Sequence, residues 1–283
     1  MARTPSLAAA RRSFAEELRF VAHLGEQRVV DAFAAVPRER FVGPGPWRIF
    51  DIDGNGYWST PDADPRHLYH NVLVALDEST GLNTGQPSLW AYHFDRLGIK
   101  PGGRVLQVGC GSGYFTAILA EIVGRSGKVL GLEVEPRLAA AAAGNLGAWP
   151  QASVRRVRGI TPIEGEWDAV IAFAGTTAPP RAWLDALAPG GRALIPMTGA
   201  ERWGFMLRLD RRNGGFSARS AGRVGFFHCV GARDDSEAAA LTRALYDPAG
   251  QLQMKRLRRD PHDRDDSCWL HGDGWCLSKQ ELH

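Results

Sequence analysis

The stretch that decides the fold of this 283-residue chain is Arg104-Val105-Leu106-Gln107-Val108-Gly109-Cys110-Gly111-Ser112-Gly113-Tyr114. An apolar, β-rich run passes into clustered glycines and then into the apolar run 114–123, which predicts a strand, a tight loop and a helix. Glycines at such a junction let the backbone approach a ligand closely, and the helix N-terminus offers N–H groups to an anion. The ligand is expected in the crevice at the carboxyl ends of the strands.

Strands and helices alternate on both sides of this stretch. The patterns predict helices over 88–97, 136–146 and near 180–187, and strands over 128–134, 153–157, 168–173 and 192–195. This alternation is typical of βαβ units in a mostly parallel sheet. Two later β-like runs, 203–209 and 223–229, flank the turn signal Asn213-Gly214 and predict an antiparallel hairpin. The predicted fold class is therefore α/β and doubly wound, with a C-terminal antiparallel hairpin and extra segments at both ends.

Three segments are predicted along the chain. Residues 1–85 form an N-terminal helical and loop region that contributes to the substrate site, and 86–230 form the cofactor-binding core. Residues 231–283 form a C-terminal extension. Within the first segment, Ser13 and Glu16 have the spacing of a capping box, which predicts a helix start there and one or two helices over 13–35.

Composition and charge exclude several functional classes. Hydrophobic residues make up 44% of the chain and the net charge is +3, which is too mild to indicate nucleic acid or a membrane as the main partner. No run of about 18 apolar residues and no secretory signal pattern is present, and four scattered cysteines favour a reduced, cytoplasmic protein. The basic clusters 155–158 and 255–259 indicate solvated surface or, alternatively, recognition of an acidic peptide. The sequence does not indicate an oligomeric state.

The glycine spacing distinguishes between nucleotide ligands. A dinucleotide fingerprint is G-x-G-x-x-G, whereas this chain has G-x-G-x-G followed by Tyr114. The tighter spacing resembles the loop that holds the amino-acid end of S-adenosylmethionine in methyltransferases. Glu133, about twenty residues on at the end of the next predicted strand, can accept hydrogens from both ribose hydroxyls. Dinucleotide binding and a purely structural turn remain the alternatives.

A more specific resemblance rests on five stretches that follow one another in order. They are Val36-Pro37-Arg38-Glu39-Arg40-Phe41-Val42, Asn83-Thr84-Gly85-Gln86-Pro87, residues 105–114, Asp168-Ala169-Val170-Ile171, and Leu187-Ala188-Pro189-Gly190-Gly191-Arg192. Over roughly residues 28–200 the chain resembles the protein-L-isoaspartate O-methyltransferase family. The resemblance implies a Rossmann-like class I methyltransferase fold, S-adenosyl-L-methionine as cofactor, and a carboxylate acceptor on a peptide, protein or peptide-like molecule.

The resemblance also implies a set of cofactor-binding residues: Thr84, Gln86, Val108, Gly109, Cys110, Gly111, Ser112, Gly113, Tyr114, Glu133, Val134, Gly159 and Ile160. Two positions depart from the family pattern. Gly85 stands where repair enzymes of the family carry a serine that handles the acceptor, and Ile160 stands where an aspartate reads adenine. With Ile160 in place of the aspartate, a backbone group or a neighbouring residue must contact adenine. With Gly85 in place of the serine, a dedicated peptide or natural-product carboxylate is as good a candidate acceptor as an isoaspartyl protein.

Acceptor chemistry decides whether a base is needed. A carboxylate acceptor is ionised at neutral pH and needs none, whereas an amine or hydroxyl acceptor usually needs one. Thr84, His70 and Tyr69 are the candidate catalytic residues near the Gln-Pro loop. Two other functions stay open at this point, namely N- or hydroxyl O-methylation of a small natural product and a non-catalytic S-adenosylmethionine-binding adaptor.

The C-terminal extension carries residue types that bind metals. Cys268-x-x-His271, Cys276 and His262 lie within 15 positions, but only one partial knuckle is visible and no metal site is predicted. Trp269 and Trp275 are expected to pack the extension against the core or to cover the active site as a lid.

Overall fold

The computed structural model describes residues 6–51 and 56–282. Its α-helices within these residues are α1 (Leu7–Val21), α2 (Gln27–Ala35), α3 (Pro87–Leu97), α4 (Tyr114–Val123), α5 (Pro136–Asn145), α6 (Arg181–Asp185), α7 (Asp235–Ala244) and α8 (Pro248–Leu252). Its strands are β1 (Arg48–Asp51), β2 (Gly56–Ser59), β3 (Ala75–Asp77), β4 (Leu82–Asn83), β5 (Arg104–Val108), β6 (Lys128–Glu133), β7 (Ala152–Arg156), β8 (Trp167–Ala172), β9 (Leu187–Thr198), β10 (Trp203–Arg212), β11 (Gly215–Gly225), β12 (Arg256–Arg258), β13 (Cys268–Gly272) and β14 (Trp275–Ser278).

The chain divides into two compact units, Met1–Gly103 with Cys110–Arg155, and Arg104–Gly109 with Arg156–His283. The three segments predicted from the sequence stay a prediction about domain organisation. Among the described helices, none is long and apolar enough to cross a membrane.

Helix α1 of the first unit begins earlier than the sequence predicts. Ser6 is its N-cap, and the Ser6 hydroxyl accepts a hydrogen bond from the Ala9 N–H at 3.2 Å. The predicted start at Ser13 is wrong, because the alanines at positions 8–10 have high helix propensity and extend the helix back to Ser6. Two helices, α1 and α2, account for the region where one or two were expected.

Helix α4 forms the centre of the first unit. Nine of its ten residues are buried, as expected for a helix that is apolar on every side. It contacts α2 and β6, and Phe33 of α2 packs its ring edge-on against the rings of Tyr114 and Phe115, with centroids 6.5 and 6.3 Å away. Strand β6 also contacts α5 and pairs with β7. The N-terminal turn of α4, which follows the glycine-rich loop, is thereby packed into the first unit.

The segment over 43–84, within the predicted N-terminal helical and loop region, forms loops with short strands. Strands β1 and β2 make one antiparallel hairpin and β3 and β4 another, and Ile49 bridges to Val74. A small core of Trp47, Ile49, Leu68 and Val74 fills the segment. We refer to this folded segment, residues 43–84, as the insertion.

The second unit contains a mixed sheet in the order β13-β14-β12-β11-β10-β9-β8-β5. Strands β5, β8 and β9 are parallel, and the remaining pairs are antiparallel. The predicted hairpin at Asn213-Gly214 is confirmed as β10 and β11, although β11 starts at Gly215 and not at 223. Strands β12, β14 and β13 were not predicted, because each has only three to five residues and carries charged or polar side chains.

Candidate active site

The glycine-rich loop has the backbone conformation that its sequence requires. Gly111 and Gly113 have φ values of +56° and +94°, a region in which side chains with a Cβ are strained. A Cβ on Gly111 would lie 3.3 Å from the Leu76 side chain, and one on Gly113 would lie 3.3 Å from Ala142. Gly113 is the N-cap of α4 and contributes no side chain to its first turn. The loop therefore keeps a bare backbone surface next to a helix N-terminus, which suits a ligand with an anionic end.

Glu133 is tied directly to this loop. Its Oε2 accepts a hydrogen bond from the Gly111 N–H at 2.7 Å, and its Oε1 accepts from the N–H groups of Val134 and Glu135 at 2.9 and 3.0 Å. A carboxylate has about four acceptor positions, so one remains, on Oε2. The predicted role of Glu133 in binding the ribose hydroxyls stays a prediction. Burial raises the pKa of Glu133, and the three N–H groups oppose that shift.

Other predicted cofactor residues have structural partners. Cys110 is buried, and its N–H donates to the Leu132 carbonyl at 3.0 Å. The Ser112 carbonyl accepts from the Asn145 side chain at 3.0 Å. Both contacts fix the loop. Gln86 is half-buried at the N-cap of α3, and Val134 is half-buried.

A fully buried arginine organises the segment that leads into the Gln-Pro loop. Arg38 is 0% exposed, and its guanidinium donates to the carbonyls of Leu68, His70 and Val72 at 2.8, 3.0 and 2.5 Å. It also donates to the Thr84 hydroxyl at 3.1 Å. Burial lowers the pKa of Arg38. Arg38 stood in the quoted motif without an assigned role, so the sequence located the residue but not its function.

Two of the candidate catalytic residues are occupied by these contacts. The Thr84 hydroxyl accepts from Arg38 and from the Val74 N–H at 3.2 Å, and it donates to the Gly85 carbonyl at 3.3 Å. The Tyr69 hydroxyl donates to the Glu39 carboxylate and accepts from the Arg38 N–H at 3.2 Å. Burial and the bond to Glu39 raise the pKa of Tyr69 far above its ordinary value. The His70 side chain is exposed.

Gly85 is built into its loop. Its φ is +77°, and a Cβ there would lie 3.0 Å from the indole nitrogen of Trp90. A serine would be strained in this conformation. The backbone of this loop therefore favours glycine at position 85 over the serine that the family resemblance led us to expect there.

Leu76 and Arg137 were not singled out from the sequence. The Leu76 side chain lies beside Gly111, and the Arg137 guanidinium donates to the Leu76 carbonyl at 3.2 Å and pairs with Asp77 at 3.6 Å. The insertion thus touches the glycine-rich loop within the first unit. No local pattern could have indicated this, because the contact joins positions 35 residues apart in the sequence.

Val108, Gly109, Gly159 and Ile160 lie in the second unit. Val108 ends β5, where its carbonyl accepts from the Phe173 N–H at 2.8 Å, and Gly109 has φ +78°. Gly159 and Ile160 lie beside Gly231. Their predicted roles in cofactor binding stay predictions.

The basic cluster 255–259 is largely neutralised. Lys255 pairs with Glu281 at 3.3 Å, Arg258 with Asp260 and Asp265, and Arg259 with Asp185 at 2.8 Å. These cations are engaged within the chain.

The comparisons with known proteins identify the family of this chain and its cofactor. A family model described as protein-L-isoaspartate(D-aspartate) O-methyltransferase (PCMT) matches residues 59–234. The chain belongs to this family. Membership confirms the predicted Rossmann-like class I fold, a methyltransferase activity, and S-adenosyl-L-methionine as the cofactor.

Relatives of the family support the assignment. Protein-L-isoaspartate O-methyltransferase 1 of Archaeoglobus fulgidus is 32% identical over 208 residues, covering 72% of this chain and 86% of that protein. The Methanopyrus kandleri enzyme is 28% identical over 228 residues, covering 78% and 92%. A solved structure of a putative family member from Plasmodium falciparum, in complex with S-adenosyl-L-homocysteine, gives a TM-score of 0.59 at 20% identity, covering 77% of this chain and 97% of that chain.

Proposed function

We propose that this member of the family esterifies a carboxylate on a dedicated peptide or protein acceptor. The observation that carries the proposal is the state of the acceptor-side residues. Thr84 and Tyr69 are held in hydrogen bonds, and the raised pKa of Tyr69 keeps its hydroxyl protonated at neutral pH. A carboxylate acceptor arrives ionised and requires no base, whereas an amine or a hydroxyl would.

The chain's residues supply positioning in this reaction. Bound S-adenosylmethionine supplies a methyl group on an activated sulfonium. The glycine-rich loop and Glu133 would hold the cofactor, while Arg38 fixes the segment that carries Thr84 and Gln86. Catalysis by alignment and exclusion of water is sufficient for such a displacement.

The acceptor class is tested by methyl transfer from labelled S-adenosylmethionine to an isoaspartyl peptide, its aspartyl twin and a panel of natural peptides. Methyl esters release volatile label in mild base, whereas N-methyl groups and ethers do not. Because Gly85 replaces the family serine, we expect the isoaspartyl peptide to be a poor acceptor and a natural peptide to give base-labile label. Base-stable label would contradict the proposal, and rapid methylation of the isoaspartyl peptide alone would identify a repair enzyme.

Removing the candidate bases should leave chemistry almost unchanged. We expect His70→Asn and Tyr69→Phe to keep kcat within about threefold of the parent, since neither group takes a proton from a carboxylate. Both variants are compared with the parent over a range of pH in the methyl-transfer assay. A loss of about a hundredfold, typical of removing a general base, would favour an amine or hydroxyl acceptor instead.

Cofactor affinity should depend on the ionisation of Glu133. Because the pKa of Glu133 is raised in the folded protein, protonation of Glu133 stabilises the free protein. This stabilisation is fully present below the ordinary glutamate pKa and is lost as pH rises through the raised pKa. Since the ionised form is the hydrogen-bond acceptor for ribose, affinity for S-adenosyl-L-homocysteine should tighten as pH rises through the same window. Calorimetry from about pH 4, near the ordinary glutamate pKa, up to about pH 8 measures this, and Glu133→Gln should bind weakly at every pH. A pH-independent affinity of the parent would refute the role of Glu133.

A further inference from the structure

Four side chains of metal-binding type converge in the C-terminal extension. They are His262, Cys268, His271 and Cys276, and one ligand atom from each lies within 4.8 Å of the others. Cys276 is fully buried and Cys268 is 6% exposed, and both are free thiols. All four belong to the second unit, and none serves the proposed methyl transfer.

A β-bulge brings the ligands onto one face of the β13–β14 hairpin. His271 pairs with Cys276 across the hairpin, and Cys268 pairs with Ser278. Side chains alternate along a strand, so Cys268 and His271, three positions apart, would otherwise point to opposite faces. The register shift between Cys268 and Leu270 removes this mismatch. Bulges that re-aim a side chain are common next to functional sites.

The separations fit a tetrahedral ion. Ligand bonds of about 2.3 Å to sulfur and 2.0–2.1 Å to nitrogen place the ligand atoms of a tetrahedral zinc about 3.4–3.8 Å apart. The Cys268 sulfur lies 3.5 Å from Nε2 of His262 and 3.7 Å from Nδ1 of His271. The two imidazole planes are nearly perpendicular, at 88°. Hydrogen bonding among neutral thiols and imidazoles would explain individual pairs of these side chains, but it would not require all four to converge on one point.

A second layer of contacts orients the first ligand. Nδ1–H of His262 donates a hydrogen bond to the carbonyl oxygen of Asp260 at 2.7 Å, which leaves the Nε2 lone pair facing Cys268. A histidine that ligates a metal typically donates its other N–H in this way. The Asp260 side chain is held in turn by Arg258 at 2.6 Å.

We propose that His262, Cys268, His271 and Cys276 bind one structural zinc ion. Two thiolates and two neutral imidazoles give a neutral complex with Zn²⁺, which a buried site tolerates. Four protein ligands close the coordination sphere, so the ion has a structural role and no open position for substrate. The site ties residues 259–267, which lie outside helices and strands, to the β13–β14 hairpin. The spacing in the sequence shows only the pair Cys268 and His271 as a partial zinc-binding motif. The fold brings His262 and Cys276 to this pair.

The proposal is tested on the full chain after removal of any affinity tag and without added metal. We expect about one zinc per chain by mass spectrometry of metals, falling below about a tenth in Cys276→Ser and in His262→Ala. Cys229→Ser is the matched control, because Cys229 is a buried cysteine of the same unit that forms no disulfide and lies outside the cluster. This variant should keep its zinc. Cobalt exchanged into the parent should show the intense visible bands of a tetrahedral thiolate site.

A second readout covers the case in which the variants fail to fold. In the parent, removal of zinc with a chelator should make Cys268 and Cys276 reactive to alkylation and should lower Tm. Added zinc should protect both thiols again and return Tm to its starting value. Substoichiometric zinc after reconstitution in reductant would overturn the proposal. So would a Cys268–Cys276 disulfide in most chains purified without reductant, or metal content that is equal in Cys276→Ser and the parent.

Discussion

Gly111→Val is expected to weaken binding of S-adenosyl-L-homocysteine by at least about a hundredfold, which corresponds to roughly 2.7 kcal/mol. Gly111 has φ +56°, and a β-branched residue is a strong outlier in that region. Its Cβ would also lie 3.3 Å from Leu76. Relieving the strain moves the Gly111 N–H away from Glu133, to which it now donates at 2.7 Å. The substitution therefore disrupts both the backbone of the glycine-rich loop and the position of the Glu133 carboxylate.

Two controls separate this effect from general damage. Gly144→Val makes the same substitution in α5, where no atom lies within 4 Å of the new Cβ and φ is not positive, so binding should persist. Gly124→Val introduces strain at φ +69° at the far end of α4 and should lower stability but retain affinity per folded molecule. Calorimetry on all three variants is the measurement. Near-normal affinity in Gly111→Val would mean that this loop does not hold the cofactor.

The sequence was a good guide where local chemistry determines structure. The strand, loop and helix around Gly109–Gly113 follow from apolar patterning and from glycines that adopt positive φ, and the hairpin follows from Asn213-Gly214. It was a poor guide to β12, β13 and β14, whose few residues gain their stability from neighbouring strands. The start of α1 was misplaced because propensity over several alanines outweighed a capping signal.

The same division holds for the candidate site. Glu133 was located by its distance from the glycines, but its three backbone donors depend on how the loop folds back. The roles of Tyr69 and Thr84 could not be inferred, because both are set by contacts with Arg38, more than 30 positions away. The tail tryptophans illustrate the point as well. Trp269 packs against Phe205 at 5.5 Å and Trp275 donates to Glu237 at 3.2 Å, which are packing contacts within the second unit.

Arg38→Met is expected to lower the free energy of unfolding by about 3–5 kcal/mol, because it leaves buried carbonyls without donors. The carbonyls of Leu68 and Val72 accept hydrogen bonds from this side chain, and the His70 carbonyl accepts one from it in addition to the bond from the Val72 N–H at 2.8 Å. Arg38→Lys should recover only part of the loss, since one ammonium cannot reproduce a planar fork that spans several acceptors. Denaturant unfolding measures the free energy of unfolding of both variants. In thermal unfolding, Tm should fall by about 5–8 °C in Arg38→Met for a chain of this size.

Arg40→Met is the matched control, because Arg40 lies in the same short helical turn but is exposed, with its guanidinium 5.7 Å from the Trp149 ring. Its stability should change by less than about 1 kcal/mol. Hydrogen exchange in Arg38→Lys, measured well below its Tm, then separates local from global effects. If Arg38 organises the acceptor side, the Val74 and Thr84 amides lose protection while α4 keeps it, and kcat falls more than cofactor affinity does. Uniform loss of protection, with activity reduced only in proportion to the folded fraction, would make Arg38 a core residue without a role in positioning.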